Sequence, residues 1–464
     1  MSNHYELVVI GSGPAGEKAA AQAAYHGRTV ALVERSRWLG GSAVGNAGIP
    51  TKTLRETALY VTGFRRRDIY GVAPNLDPVG VVQHMRERTA EVSAMMERAV
   101  RQNIERHGIE LIDGEARLAP GHKVVVNKPD GSTDELEADV ILIATGSRPR
   151  RPAGVPFEDP DVMDSEEVFE LKEPFDSLLV VGGTTIGCEY ASIFSAAGAS
   201  VTLVDRSDRL IRTLDVEMSH TLADAFTDLG MRVILGGGIR PRIERDQQGL
   251  KVTLGSGEVM RPEKVLYSAG RTGNIEELDL HNVGVELDDK GRVVVDNRFE
   301  TRVPRIYAAG DVIGPPSIAS VSMEQGRVAI CHAFGIDFKD TVDPLAPFGV
   351  YSIPEVAMVG LTEEAASAQQ VDYEVGRGFF TRNARATIAG ATEGLVKLVF
   401  EKDGLSLIGV HILGDNASEL IHVGQAVIQF GGTIEHFIHA TFAVPTLTDA
   451  YKYAAYDGLT RVGK

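Results

Sequence analysis

The sequence predicts an α/β protein with two Rossmann-like domains followed by a separate α+β block. Three observations predict it. A strand, glycine turn, helix, strand and acid occur in that order twice within the 464 residues. The two copies have the same internal spacing. The last segment, 346–464, carries no glycine-rich turn of this kind. A chain of this length exceeds one core and fits about three domains.

The first copy opens on the apolar run Leu7–Ile10 and turns through Gly11-Ser12-Gly13-Pro14-Ala15-Gly16. An alanine-rich helical stretch follows, Glu17–Tyr25, then a β-rich run over 29–33 that ends at Glu34. The second opens on Leu178–Val181 and turns through Gly182-Gly183-Thr184-Thr185-Ile186-Gly187. It continues as helix to about Gly198 and closes with Ser200–Val204 before Asp205. Twenty-three positions separate Gly11 from Glu34, and twenty-three separate Gly182 from Asp205. A lone G-x-G-x-x-G is common in ordinary turns, but this full context, repeated, predicts two dinucleotide sites. The glycines let backbone approach a pyrophosphate, and the helix N-terminus turns free N–H groups and partial positive charge toward it. Glu34 would accept from a ribose hydroxyl and repel a 2′-phosphate.

The second copy departs from the pattern at Thr184, whose Cβ crowds the pyrophosphate approach unless the loop sits further out or the hydroxyl contacts phosphate. Asp205 suits an NAD ribose, while Arg206 and Arg209 just beyond it offer guanidinium forks for a 2′-phosphate. Together they predict that NAD and NADP are both accepted. The plainer reading of the two arginines is a solvated charged turn.

Between the copies, Val82–His107 has helical periodicity through Met85, Val92, Met96, Val100 and Ile104, a stripe expected to fill core. Two more strands end in glycine turns, at Ala144-Thr145-Gly146 and at Gly310-Asp311. Arg65-Arg66-Arg67 reads as a solvated turn. With 47 Lys and Arg against 64 Asp and Glu, the net charge is −17, which repels nucleic acid and anionic lipid. No apolar run approaches the roughly 18 residues of a membrane span. The start, Met1–Tyr5, lacks a basic secretory region, so a cytoplasmic protein is expected. Two cysteines, Cys188 and Cys331, exclude a disulfide framework and read as small buried residues. His436 and His439, with the distant His411 and His422, lack a carboxylate that completes a ligand set, so no metal is expected.

From Glu6 to about Gly458 the chain resembles the FAD-dependent family that includes dihydrolipoamide dehydrogenase and glutathione reductase. The resemblance implies that 1–149 and 271–345 bind FAD, that 150–270 binds NAD(P), and that 346–464 is a dimerisation domain of a homodimer or higher oligomer. It places FAD against Gly11, Gly13, Pro14, Ala15, Gly16, Glu34, Arg35, Gly41, Ser42, Lys52, Ala144, Thr145, Gly146, Gly310, Asp311 and Ala319. It places NAD(P) against Gly182, Gly183, Thr184, Ile186, Gly187, Glu189, Asp205, Arg206, Arg209 and Gly270. The helix near Ile318–Ile330 should aim its N-terminal amides at the flavin, and Tyr190 is a candidate gate over it, or else a tyrosine packed on the sheet. Lys52, paired with Glu189, should hold positive charge near flavin N5. The plainer reading of Lys52 is a surface lysine in a helix first turn, an unfavourable place for a cation.

Where the family carries Cys-x4-Cys before Ile-Pro, this chain has Ala43 and Gly48, so thiol–disulfide exchange is impossible there. Where the family's base stands in His-Pro-Thr, the chain reads Val444-Pro445-Thr446. The runs Gly187–Phe194, Gly270–Asn274, Gly310–Gly314 and Tyr351–Glu355 are most similar to the branch of the family that moves hydride between pyridine nucleotides. The expected function is therefore FAD-dependent hydride transfer from NADPH to NAD, ping-pong through flavin N5, which needs no thiol. An NAD(P)H:quinone or dye reductase is the alternative, and a non-catalytic flavin- and nucleotide-binding protein is a third.

Overall fold

The computed structural model describes residues 3–62, 78–236, 238 and 240–463. The Arg65-Arg66-Arg67 triplet lies outside the described residues. The chain divides into two compact units. Met1–Thr53, Glu87–Arg150 and Gly270–Asp343 form the first; Leu54–Arg86, Arg151–Ala269 and Pro344–Lys464 form the second.

The first unit is built on the strand His4–Ile10, whose central Leu7, Val8 and Val9 are wholly buried. A near-continuous apolar run of this kind belongs to a strand covered on both faces. It pairs in parallel with Val30–Glu34 on one side and Thr133–Ile143 on the other, and Glu110–Asp113 extends the sheet beyond Val30–Glu34. The long strand Thr133–Ile143 divides its pairing. Its C-terminal half takes Ile306–Ala308 in parallel, and its N-terminal half takes Lys123–Asn127, then Glu115–Ala119, antiparallel.

Register then fixes the site. Ile10 stands opposite both Val33 and Ile143, and Ile143 opposite Ala308. Gly11, Glu34, Ala144 and Gly310 therefore emerge side by side along the carboxyl edge of one parallel sheet, where α/β folds bind ligands. The helix Pro14–Tyr25 buries Ala15, Ala19, Ala20 and Ala23. Its small side chains let the helix Ala319–Phe334 approach until a Cβ on Gly326 would stand 2.3 Å from the Ala15 carbonyl oxygen. The helix Pro78–Arg106 realises the amphipathic stretch expected over 82–107. Its stripe fills core only toward the ends: Met85 and Ile104 are buried, whereas Met96 is exposed.

The second unit repeats the pattern. Ser177–Val181 pairs in parallel with Ser200–Val204 and Lys264–Tyr267, with Val181 opposite both Val204 and Tyr267. Gly182, Asp205 and Ser268 thus share that sheet's carboxyl edge. The unit's other major sheet is antiparallel, in the order Phe348–Val350, Val356–Gly360, Leu407–Leu413, Leu395–Glu401, Tyr373–Phe379. Alternation divides its two faces. Val396, Leu398, Val410 and Ile412 pack with residues of the helices Ala417–Gln429 and Ala450–Arg461, while Leu395 and Leu413 share a core with Met218 and Leu222 of the helix Val216–Asp228.

Candidate functional site

In the first glycine turn, Gly11 has φ +103° and a Cβ on Gly16 would stand 1.9 Å from the Gly11 carbonyl oxygen, so neither position admits another residue. Pro14 opens the helix without needing a hydrogen-bond partner, and Gly13, at the N-cap, supplies no side-chain cap. The first free amides of that helix are left open to a ligand. Glu34 crosses the turn from the next strand. It is 7% exposed, and its carboxylate accepts from Ser12 N at 2.8 Å, Ser12 Oγ at 2.7 Å and Ser36 N at 2.8 Å. A carboxylate offers roughly four acceptor positions, so one remains, which is what a ribose hydroxyl requires.

The rest of the rim is equally ordered. Gly40 N donates to Ser12 Oγ at 3.1 Å, which brings the short helix Gly41–Gly45 with Ser42 against the turn. A Cβ on Gly41 would come within 2.9 Å of Gly13 Cα, so the space between the two backbones exists only because both are glycine. Ala144 N donates to the Ile10 carbonyl, and Thr145 and Asn274 exchange side-chain and backbone hydrogen bonds across Gly146. Asp311 accepts from Ser147 Oγ at 2.7 Å, and Arg271 donates to that same hydroxyl at 2.8 Å. Arg271 and Ser147 were not foreseen as site residues, since their pairing needs the antiparallel ladder of Arg271–Gly273 on Ser147–Pro149. The helix that follows begins at Ala319, with no side-chain cap, and runs to Phe334. Arg35 forms ion pairs with Glu115 at 3.2 Å and Glu277 at 3.5 Å. The fit of this cradle to a dinucleotide rests on the glycine-lined approach, the uncapped helix and the spare acceptor of Glu34.

The second turn differs where its sequence differs. Gly182 has φ +118°, and a Cβ on Gly187 would again stand 1.9 Å from the first glycine's carbonyl oxygen. Thr184 turns its hydroxyl into the protein: Oγ1 donates to the Ser268 carbonyl at 2.9 Å and accepts from Gly187 N at 3.3 Å. It is an N-cap of the helix Thr185–Ala196, so one helix amide that the first copy leaves open is covered in the second. Asp205 accepts from Gly183 N at 2.5 Å and Ser207 N at 2.6 Å, which leaves about two acceptor positions for a ribose diol. Ile186 packs against the core of this unit, and Gly270, at φ +110°, has open space where a Cβ would go.

The two predicted arginines part company. Arg206 is exposed and has no ion pair among the described residues. Arg209 is engaged, with Nη1 on Glu364 Oε1 at 2.8 Å and Nη2 on the Arg212 carbonyl at 2.9 Å. Arg212, unremarked in the sequence, is exposed on the same loop.

Residues 5–326 match the pyridine nucleotide-disulphide oxidoreductase family, and 346–455 match that family's dimerisation domain. The chain belongs to this family. It is 42% identical over 459 residues to a soluble pyridine nucleotide transhydrogenase of Mycobacterium bovis, covering 99% of this chain and 98% of the relative. It is 38% identical over 462 residues to the soluble pyridine nucleotide transhydrogenase of Pectobacterium atrosepticum, at 99% and 98% coverage. Among solved structures it resembles the HOCl-induced flavoprotein disulfide reductase RclA of Escherichia coli, with a TM-score of 0.87 and 26% identity, covering 97% of this chain and 99% of that one.

As a member of the pyridine nucleotide-disulphide oxidoreductases, the chain is notable for what replaces sulfur. A Cβ on Gly48 would lie 3.2 Å from Ala43 Cα, so the two positions adjoin and hold no thiol. Val444 is 70% exposed and offers no proton. Cys188 and Cys331 are both buried, and burial pushes both thiols up. Lys52 lies in the first turns of the helix Gly48–Thr62, with Nζ 3.2 Å from Thr51 Oγ1. Glu189 is buried in the helix Thr185–Ala196 and accepts from Tyr351 N at 3.0 Å. Tyr190 is no gate. It is 1% exposed, its hydroxyl donates to the Ser165 carbonyl at 2.8 Å, and its ring stacks on Phe194.

Among the described residues, one carboxylate group is compact enough to share a cation: Asp215, Glu217 and Glu363. The chain supplies that cation itself. Lys397 Nζ lies 2.7 Å from Asp215, 2.9 Å from Glu217 and 2.5 Å from Glu363. His411 faces Lys397 in the strand register, wholly buried, with Nε2 3.0 Å from the Leu361 carbonyl. No helix of the described residues is long and apolar enough to cross a membrane.

Proposed function

We propose that the chain is an FAD-dependent transhydrogenase that passes hydride from NADPH to NAD, working in the cytoplasm as a homodimer. The carrying observation is a dinucleotide cradle kept complete around an emptied redox segment, with Ala43 and Gly48 adjacent and sulfur-free. Both curated relatives cited above are soluble pyridine nucleotide transhydrogenases along their whole length, which supports the same reading. Bound FAD supplies a two-electron carrier that exchanges hydride with nicotinamides.

The chain's own residues divide the remaining work. Gly11, Gly13, Pro14, Ala15 and Gly16 hold the flavin nucleotide's pyrophosphate on an uncapped helix, and Glu34 takes its ribose. Asp311, fixed by Ser147 and Arg271, receives the polar chain of the flavin, with Gly41, Ser42, Ala144, Thr145, Gly146, Gly310 and Ala319 completing the cradle. Lys52 contributes positive charge that favours an electron-rich flavin. In the second unit, Gly182, Gly183 and Gly187 admit the nucleotide backbone, and the spare acceptors of Asp205 take the ribose of NAD. Arg206 offers a guanidinium to the 2′-phosphate of NADP. With both nucleotides held by one set of residues, substrate and acceptor bind in turn, and catalysis is positioning rather than proton transfer.

The test is anaerobic: purified flavoprotein is mixed with NADPH and thio-NAD, and thio-NADH is followed. Turnover without a further acceptor is expected. If NADPH bleaches the flavin while thio-NAD stays oxidised, the reading fails and a quinone or dye becomes the acceptor to screen.

A further inference from the structure

A site that takes NADP(H) and NAD(H) alternately faces a constraint of its own. If the 2′-phosphate gathers too many cations, NADP remains bound and NAD is kept out. The loop that would meet that phosphate, 205–212, is folded directly onto the glycine turn: Ile211 N donates to the Gly183 carbonyl at 2.8 Å, and Asp205 holds Gly183 N and Ser207 N. Of its arginines, Arg206 and Arg212 are exposed without ion pairs among the described residues, whereas Arg209 is held by Glu364. That carboxylate does not come from the nucleotide domain. It lies in the first turn of the helix Glu363–Ala368, whose start is fixed by Thr362 capping Ala365 N and by Asp215 accepting from Glu363 N at 3.3 Å. Asp215 in turn caps the helix Val216–Asp228 that follows the loop. Glu364 is therefore set against Arg209 from two sides rather than meeting it by chance.

We propose that Glu364 is a specificity-determining residue: by holding Arg209 it withholds one guanidinium from the 2′-phosphate and keeps NADP(H) and NAD(H) comparable in affinity. Arg209 is then a positioning residue that also ties the Arg212 carbonyl, not a phosphate ligand. The inference rests on the pyridine nucleotide reading of this site. Neutralising Glu364 removes the competitor for Arg209, which favours a 2′-phosphate through that guanidinium while leaving the unphosphorylated ribose indifferent.

The test is calorimetric titration of the full flavoprotein with NADP⁺ and with NAD⁺, for wild type, Glu364→Gln, Arg209→Gln and the double variant. Glu364→Gln is expected to tighten NADP⁺ about fivefold, ~1 kcal/mol, the upper part of what one partly exposed ion pair contributes. NAD⁺ should stay within about twofold. In the Arg209→Gln background the Glu364 effect should vanish, because the carboxylate acts through that guanidinium. Glu364 has 42% of its side chain exposed, so the variant is expected to fold. Equal shifts for both nucleotides, no shift, or a shift that persists without Arg209 would each overturn the inference. A wild-type chain that binds both nucleotides yet fails to reduce thio-NAD overturns the transhydrogenase reading while leaving this one to the affinity ratio. One that binds neither overturns both.

Discussion

Replacing Lys397 by methionine tests what holds the second unit together. Methionine keeps most of the length and apolar stem of lysine and removes only the ammonium. In the native chain that ammonium is wholly buried and meets three carboxylates, while Arg377 grips Glu217 from the other side at 2.7 and 2.8 Å. The three carboxylates do not lose equally. Glu217 and Glu363 keep 32% and 31% of their side chains exposed, so water can replace the ammonium there. Asp215 is 1% exposed and cannot be rehydrated in place. Breaking a buried pair costs about 3–5 kcal/mol, and the partial exposure of two partners argues for the lower end, about 3 kcal/mol. At roughly 2–4 °C per kcal/mol for a unit of this size, melting should fall by about 6–12 °C.

The pH dependence gives the sharper readout. The groups that face one another here are Asp215, Glu217, Glu363, Glu364, Arg377, Lys397 and His411. Burial raises Asp215, but the His411 ring and the Lys397 ammonium lower it more, and its pKa lies below the usual carboxylate range. Glu217 is likewise raised by burial and lowered further by Arg377 and Lys397. Lowered carboxylates stabilise the fold above their unfolded pKa of about 4 and lose that stabilisation as pH falls. Burial chiefly lowers the pKa of His411, and its Nδ1 has no hydrogen-bond partner among the described residues, so protonating it opposes the fold below its unfolded value of about 6.5. The histidine effect makes wild type less stable toward pH 5, whereas the carboxylate effect sets in only below about pH 4. In Lys397→Met the crowded carboxylates lose the ammonium that lowers them, so their pKa values rise, and His411 loses a neighbouring cation that lowers its own, both of which favour the fold at low pH. The gap in melting temperature between the two chains should therefore narrow from pH 8 to pH 5, as read by differential scanning fluorimetry in both buffers. A variant within about 1 °C of wild type at both pH values, or a gap that widens at pH 5, refutes the account.

Two further substitutions separate the glycine turns. Gly41→Ala puts a Cβ at 2.9 Å from Gly13 Cα on a residue with φ +58°, and it should weaken FAD retention at least about tenfold, read as the flavin-to-protein absorbance ratio after dialysis, with far-UV circular dichroism unchanged. Thr184→Gly restores the glycine the fingerprint asks for, yet it should not tighten NAD⁺ in a titration. It should lower melting by about 2–4 °C instead, because it removes a helix cap and the bond to the Ser268 carbonyl, together roughly 1 kcal/mol, and Thr184→Ser should recover most of the loss.

The parts legible in the sequence are those whose cause is local. Gly11 and Gly182 need positive φ, Gly16 and Gly187 need to lie on a carbonyl, and the acid must follow one helix and one strand later. All of that is written within about 25 consecutive residues, which is why both turns and their acids could be placed by spacing alone. Side chains whose partners are distant in the chain were not legible. Arg209 looked like a phosphate ligand because nothing near it in sequence competes for it; its competitor lies 155 positions on. Tyr190 looked like a gate because a tyrosine beside a ligand turn has a polar tip, and only tertiary structure shows that tip on Ser165, 25 positions earlier.

Lys397 did leave a signal. A cation in the middle of Leu395-Val396-Lys397-Leu398-Val399-Phe400 has no aqueous face to occupy if the run is a strand buried on both sides. Such a lysine requires carboxylates, yet the sequence does not say which, because Asp215 lies 182 positions away. The difference between the two glycine turns follows the same logic in reverse. Thr184 was visible as a departure, and its cost was reasoned from the missing glycine; its benefit, a cap on Gly187 and a bond to Ser268, needed a third strand to be seen. A departure at a ligand turn therefore reports a change of employment for a backbone amide before it reports a loss of the ligand, and the native threonine at 184 is compatible with a nucleotide that relies more on Asp205 and Arg206 than on the helix end.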